Sequence, residues 1–409
     1  MQPNDPSLPT DVVAAPDIVP GGTDTRRGHT LPIVFTGSGS EYFRIWSVNL
    51  LLTLVTLGLY LPWAKVRRLR YFYGNTLIGD HPLDFHGEPR RMLRGFLLVG
   101  VLVLLYSAAG SVSSAAGLAA LVIVAAVWPA LFRAAQQFRL ANTSWRGLRF
   151  KFTGDMVGAY RAMLPLFVPG MLVLAALLLI GEPVEGQPYA PSAGGIAALQ
   201  SSVALPVLLF PLLWWLVKKY QHDHYALGQV QTQLRTGAGS FYVVFLKTIG
   251  VSLLAGLVAG VLAALIAGGS VSALFGGGRG KPIGAAAIVG IVVLVLSVYA
   301  AMALVIRPYA TARLQNLVWN RTKSTDIRFE SALRFWPFMR LTLKNWLLVL
   351  LTLGLYWPFA AIATTTMRLQ AVTVHTRNPP DELVNRERPR ADDASGDAAG
   401  DLFGIDVGL

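Results

Sequence analysis

The chain has no cysteine among its 409 residues, which excludes disulfides, thiolate metal sites and thiol catalysis. Charge is scarce as well: 14% of residues are Asp, Glu, Lys or Arg, where a soluble domain carries about 25%. Acidic side chains are missing from the interiors of the long apolar runs, which counts against a carboxylate-coupled antiporter or pump. No nucleotide fingerprint, nucleophile elbow or metalloprotease helix occurs. The nearest approach, the glycine-rich run from Leu274 to Lys281, lacks the preceding strand and the Lys-Ser/Thr ending of a phosphate loop. His222-Asp223-His224 has no third ligand of clear identity, and Asp80, His81, Asp84, His86 and Glu88 read as a solvated turn. No catalytic residue, metal or cofactor is therefore assigned.

What the chain does have is apolar length. Hydrophobic residues make up 54% of it and the mean hydropathy is +0.51. Apolar runs lie at 45–64, 96–137, 162–181, 197–217, 242–268, 285–306 and 345–364, where a crossing helix needs about 20 residues. The 96–137 run is long enough for two helices and is split at the polar Gly110 to Ser114. These runs define an all-α polytopic membrane protein of about eight strong transmembrane helices, up to about ten, built from helical hairpins. Residues 1–30 and 377–409 are rich in Pro, Asp, Ala and Gly, and read as disordered tails around a membrane domain at 31–376. No cleavable signal peptide is evident before the first apolar run.

Two repeats are legible. The first carries Asn49, Gly58, Tyr60 and Pro62 onto Asn345, Gly354, Tyr356 and Pro358 at one constant offset. The second is a Phe-x-Gly segment followed by an arginine: Phe35-Thr36-Gly37 with Arg44, Phe85-His86-Gly87 with Arg94, and Phe152-Thr153-Gly154 with Arg161. A fourth copy aligns Arg235 with the Phe position, and Phe329-Glu330-Ser331 is a degraded fifth. The unit implied is a short extended segment, a glycine turn, an outgoing helix, a returning helix and an Asn-Thr link. Such units cover their apolar faces only by packing together.

The net charge of +13 resides in loops between spans, the signature of the positive-inside rule rather than of a nucleic-acid partner. It places the basic loops between spans in the cytoplasm; the tails lie there too if the first and last apolar runs are hairpins, the favoured reading, and outside if those runs are single crossings. The elements 56–62 and 352–358 are either parts of single crossings or tight turns within hairpins. Lys65, Arg67, Arg68 and Arg70, interleaved with Trp63, Tyr71, Phe72 and Tyr73, would suit a lipid headgroup, a phosphate or another anion. Arg44, Arg94 and Arg161 join them as edge cations. The plain alternative for all seven is anchoring: arginines that snorkel and aromatics in the interfacial belt.

Residues 35–76 (FTGSGSEYFRIWSVNLLLTLVTLGLYLPWAKVRRLRYFYGNT) and 352–360 (TLGLYWPFA) resemble the two signature blocks of the YjgN-like family of bacterial inner-membrane proteins. The resemblance implies a polytopic inner-membrane protein, with the lipid bilayer as its partner; anionic lipids are expected from the basic cluster alone. It carries no established activity. The expected roles are a transporter or channel-like protein for a small solute or anion, or else a non-catalytic scaffold or lipid-binding protein. An enzyme working through His81, His86, His222 or His224 is the least favoured reading.

Overall fold

The computed structural model describes residues 28–180, 192–267 and 285–387. Among them six helical segments are long and apolar enough to cross a membrane: Pro89–Val112, Ala115–Ala141, Met156–Ala176, Ala193–Asp223, Ala238–Leu262 and Ile288–Arg321. The protein is thus mostly helical and of the polytopic membrane class. The expected tails lie outside the described residues at 1–27 and 388–409, as do Arg279, Lys281 and most of the loops read at 182–196 and 269–284.

The helices come in pairs. The first is α1 (Gly39–Val55) with α2 (Leu61–Gly74), and the second is α3 (Pro89–Val112) with α4 (Ser114–Ala141). Ser113 divides the second pair, its hydroxyl accepting from the Ala116 amide at 3.1 Å as an N-cap. In the third, α5 (Met156–Met163) passes through a 3-10 turn at Leu164–Phe167 into α6 (Val168–Ile180), and α7 (Ala193–Asp223) returns. Pro165 and Pro169, which lack amide donors, account for that irregular turn. The fourth is α8 (Ala238–Ala267) with α9 (Ala285–Ala301), which continues through a π-turn at Met302–Ile306 into α10 (Arg307–Arg321). The fifth is α11 (Phe335–Leu351) with α12 (Trp357–Gln370).

Between the helix pairs the chain forms strands, which an all-α description leaves out. They are β1 (His29–Phe35), β2 (Thr76–Ile78), β3 (His81–Phe85), β4 (Thr143–Trp145), β5 (Leu148–Phe152), β6 (Tyr225–Leu227), β7 (Val230–Gln231), β8 (Gln233–Leu234), β9 (Thr322–Lys323), β10 (Ile327–Ser331) and β11 (Val372–Thr376). All pairings are antiparallel, in the order β7-β6-β5-β4-β3-β2-β1-β11-β10-β9-β8. The two ends of that order, β7 and β8, are separated in the chain only by Thr232, so the sheet returns on itself as a barrel. β1 closes against β11 in the register Leu31↔Val374, joining the first and last strands. A closed sheet has no free edge.

One backbone bond recurs at every junction. The residue after each strand end donates to the residue before the next strand: Thr36 to Asn75, His86 to Asn142, Thr153 to His224, Arg235 to Arg321 and Ala332 to Ala371, at 2.8–3.0 Å. This register corrects the sequence alignment. In the fourth and fifth places the residues equivalent to Phe35 are Leu234 and Ser331, both buried, rather than Arg235 and Phe329. The Phe-x-Gly spacing has a steric cause: a Cβ on Gly37, Gly87 or Gly154 would lie 2.6–2.8 Å from the ring of the Phe two residues earlier. The Asn-Thr link is a C-cap, with Asn75 and Asn142 Nδ2 and Thr76 and Thr143 Oγ1 each bonding the carbonyl four residues back at 2.7–2.8 Å.

The elements at 56–60 and 352–356 are tight turns, so α1 pairs with α2 and α11 with α12 as short hairpins rather than single crossings. Leu57 and Gly58 both have positive φ (49° and 92°), as do Leu353 and Gly354 (49° and 94°). The Gly58 and Gly354 amides reach back to the Thr53 and Val349 carbonyls at 2.8 and 2.7 Å, as in a Schellman close. Thr56 and Thr352 hydroxyls then accept from the Tyr60 and Tyr356 amides at 3.0 and 2.9 Å. Tyr60 stacks on Trp63 and Tyr356 on Phe359, while Pro62 and Pro358 open the returning helices, where a missing amide costs nothing. At about 1.5 Å per residue, helices of 14–17 residues are about 21–26 Å long, short of a hydrocarbon core of about 30 Å.

Candidate functional site

The seven cations singled out in the sequence are spread over four helices. Arg44, Lys65, Arg67, Arg68, Arg70, Arg94 and Arg161 are all exposed, on α1, α2, α3 and α5. Arg68 lies over the Phe72 ring at 5.5 Å, and Arg70 Nη2 donates to the Gly87 carbonyl at 3.2 Å, tying α2 to the next strand end. Among the described residues no hydrogen bond joins any of the seven to another. Gly58, Tyr60, Pro62, Gly354, Tyr356 and Pro358 sit in the two turns, whose outermost side chains Leu57 and Leu353 are 95% and 94% exposed. Asn49 and Asn345 are buried, and the Oδ1 atom of each has no hydrogen-bond partner.

The histidines are held by the fold. His222 is buried, bonds Thr322 Oγ1 at 3.0 Å and meets the Trp319 ring edge-on. His224 Nδ1 pairs with the Tyr220 carbonyl at 2.7 Å, and Asp223 receives Lys219 at 2.7 Å and the Leu234 amide at 2.7 Å. His86 Nε2 pairs with Ser144 Oγ at 2.9 Å and His81 Nδ1 with the Gly79 carbonyl at 3.0 Å. Among the described residues no three His, Cys, Asp or Glu side chains gather as a metal site.

A different polar set does gather, just before the strands. Each returning helix runs straight into a barrel strand, so residues equally far before a strand lie at one level of the ring. Residues four and seven before a strand also share a helix face. At those places stand Gln136 and Arg139 on α4, Lys218 and Gln221 on α7, Gln315 on α10, and Thr365 and Arg368 on α12, with Leu69 and Phe72 on α2. Each cation is paired with a glutamine oxygen. Arg139 Nη2 donates to Gln136 Oε1 at 2.7 Å, Lys218 Nζ to Gln221 Oε1 at 3.0 Å, and Arg368 Nε to Gln315 Oε1 at 2.8 Å. Gln315 Nε2 returns a bond to the Arg368 carbonyl at 2.9 Å. All three glutamines are buried.

Besides its burial, Lys218 feels the charges of both Arg139 and Arg368. The helices carrying Lys218 and Arg368 are not neighbours in the ring; α10 stands between them, and its Gln315 holds Arg368. None of the three has a carboxylate partner among the described residues. Next to them Tyr225 accepts Arg139, and burial pushes its phenol above the usual value despite the opposing Arg139 charge, so the phenol stays neutral. The barrel beyond is filled by Leu31, Leu83, Trp145, Leu148, Leu227, Val230, Ile327 and Val374. A last helix, α13 (Pro380–Glu387), lies within the stretch read from sequence as a disordered tail. It adds Val384 to this core, and Arg146–Asp381 and Arg386–Asp326 ion pairs hold it. The sequence alone singles out none of Arg139, Lys218 and Arg368. The usable signal was the recurrence of polar residues four or seven before the strand on four of the five returning helices, α2 carrying Leu69 and Phe72 instead and α10 carrying Val318 beside Gln315.

Membrane-length helices arranged around a barrel define a multi-pass membrane protein. The model of the family described as bacterial protein of unknown function (DUF898) matches residues 30–402, and the chain belongs to that family. It is 31% identical over 157 residues to the inner membrane protein YjgN of Salmonella typhimurium strain LT2, covering 38% of this chain and 40% of the relative. It is 34% identical over 131 residues to the YjgN protein of Escherichia coli O157:H7, covering 31% and 32%. A third match, to the protein of that name in Escherichia coli K12, is 46% identical over 52 residues, 13% of either chain. The matched stretches thus span less than half of these relatives' length. No solved structure matches the chain. The protein resides in the inner membrane as a multi-pass protein, with lipid as its surroundings.

Proposed function

We propose that the protein is a transport or channel-like protein that moves a small solute or anion along the axis of the ring. The observation that carries this reading is the closure of the sheet by β1 against β11, which sets the five helix pairs around one interior. Three long pairs cross the bilayer and the two short ones dip into it from the barrel side, so that ten helices enter the membrane. The excess of Lys and Arg near the strands puts the barrel in the cytoplasm. The apolar barrel core, backed by Val384, is then a closed gate of the kind that excludes water and ions until it widens. The two turns at 56–60 and 352–356 are the discontinuous elements able to move with it. The test is flux from proteoliposomes of the full chain loaded with radiolabelled phosphate, sulfate and neutral solutes. Release above that of empty vesicles supports the reading, and none for any solute, from wild type or from a chain ending at residue 379, refutes it.

A second reading is a lipid-binding scaffold. It is favoured by the exposure of Lys65, Arg67, Arg68 and Arg70 on a helix too short to cross. Replacement of Arg67, Arg68 and Arg70 by Gln would then weaken retention of anionic lipid, and unchanged retention would remove this reading.

A further inference from the structure

We propose that Arg139, Lys218 and Arg368 form a binding site for a small oxyanion of the phosphate class, at the membrane-side mouth of the barrel. The inference deepens the transport reading, whose solute class it names, and rests on it. Three cations stand on three helices of one closed ring, all within two turns of its strands, with the charges of the two arginines reaching Lys218, and repulsion makes such a gathering unfavourable unless something negative joins it. A structural cluster would be neutralised by carboxylates. Here each cation is oriented by a buried glutamine instead, which accepts one hydrogen bond and leaves the charge uncancelled. Gln315 fixes Arg368 through Nε, both Nη groups have no hydrogen-bond partner among the described residues, and Arg368 is exposed. A guanidinium with two free nitrogens meets two oxygens of a phosphate, while the Lys218 ammonium supplies a point charge. Tyr225, which begins the strand after Lys218 and lies beside Arg139, stays neutral and brings no negative charge.

The phosphate oxygens have two sources, a free anion or the headgroup of an acidic phospholipid drawn between the helices, and the test separates them. Full-length protein is placed in nanodiscs of phosphatidylcholine, and equilibrium binding of radiolabelled inorganic phosphate is measured. The measurement is repeated in discs containing phosphatidylglycerol. Saturable phosphate binding in the first discs is expected, weakened tenfold or more by Lys218→Met or Arg368→Gln and untouched by Arg149→Gln on an exposed strand position. If the headgroup is the occupant, phosphatidylglycerol is retained in preference to phosphatidylcholine by wild type and not by these two variants. Because removing a cation can disturb folding, Gln315→Glu is the second variant. It keeps the size of the side chain, gives Arg368 a carboxylate partner and should keep or raise the melting temperature while abolishing binding. A folded wild type with neither phosphate binding nor lipid preference overturns the site, as does a folded Gln315→Glu protein that binds as wild type does. Failure of flux with binding intact would instead count against the transport reading alone.

Discussion

Substitution of Gly154 by alanine tests the packing logic of the strand ends. The added Cβ would lie 2.5 Å from the Tyr220 hydroxyl, 2.6 Å from Phe152 Cε1 and 2.8 Å from Tyr220 Cζ, where about 3.6 Å is comfortable. Neither ring has room to retreat. Phe152 and Tyr220 are buried, meet edge to face at 5.5 Å, and the Tyr220 hydroxyl donates to the Asp155 carbonyl at 2.9 Å. Moving Tyr220 by about 1 Å forfeits that bond, so the cost is about 2–4 kcal/mol, overpacking and a lost hydrogen bond together. The assay is the unfolding midpoint of the detergent-solubilised protein. Gly95→Ala, inside α3 with nothing within 4 Å of the new Cβ, should instead stabilise by about 0.5–1 kcal/mol. Tyr220→Phe should cost about 1 kcal/mol in the wild type and be neutral or favourable beside Gly154→Ala. Strict additivity of the two changes, or equal effects of alanine at 154 and 95, would refute the steric account.

Thr352→Val removes a hydroxyl that accepts the Tyr356 amide at 2.9 Å, and should lower stability by about 1 kcal/mol in the same assay; an unchanged midpoint would mean the turn does not depend on this cap. Leu353→Asp puts a charge on a tip that is 94% exposed, and if the tip sits in hydrocarbon the charge costs up to about 3 kcal/mol. Fractionation should then show less inserted protein, and full insertion would place the tip in water. Val384→Asp sets a charge in the apolar barrel core, and an eight-residue helix held otherwise by two ion pairs should detach. Hydrogen exchange should show protection lost across 380–387 with the barrel strands still protected, and retained protection would contradict the docking of this helix.

The helices were the legible part. Apolar runs of sufficient length and a polar break at 110–114 specify the second helix pair, because in a bilayer hydrophobic length alone decides what spans. The turn at 56–60 was ambiguous because its leucines are as apolar as a crossing, and only the positive φ of Leu57 and Gly58 shows the reversal. Most of the sheet was hidden, since strands of two to five residues carry too little alternation to be read, and β1 closes on a partner more than 300 residues away. The site was hidden for the same reason. Arg139, Lys218 and Arg368 are unremarkable basic residues near helix ends until ring closure brings their helices into one ring.

Ring closure is therefore the claim to test, and the absence of native cysteine makes the test clean. Leu31→Cys with Val374→Cys pairs two core positions directly opposed on β1 and β11, at a Cα separation of about 4.5–5.5 Å that suits a disulfide. Mild oxidation in native membranes should link them rapidly and change the gel mobility of the monomer, while Leu31→Cys with Val372→Cys, two residues out of register, should link far more slowly. Absence of the Leu31–Val374 link, or equal linking of both pairs, would contradict a closed ring and with it the interior on which the proposed site depends.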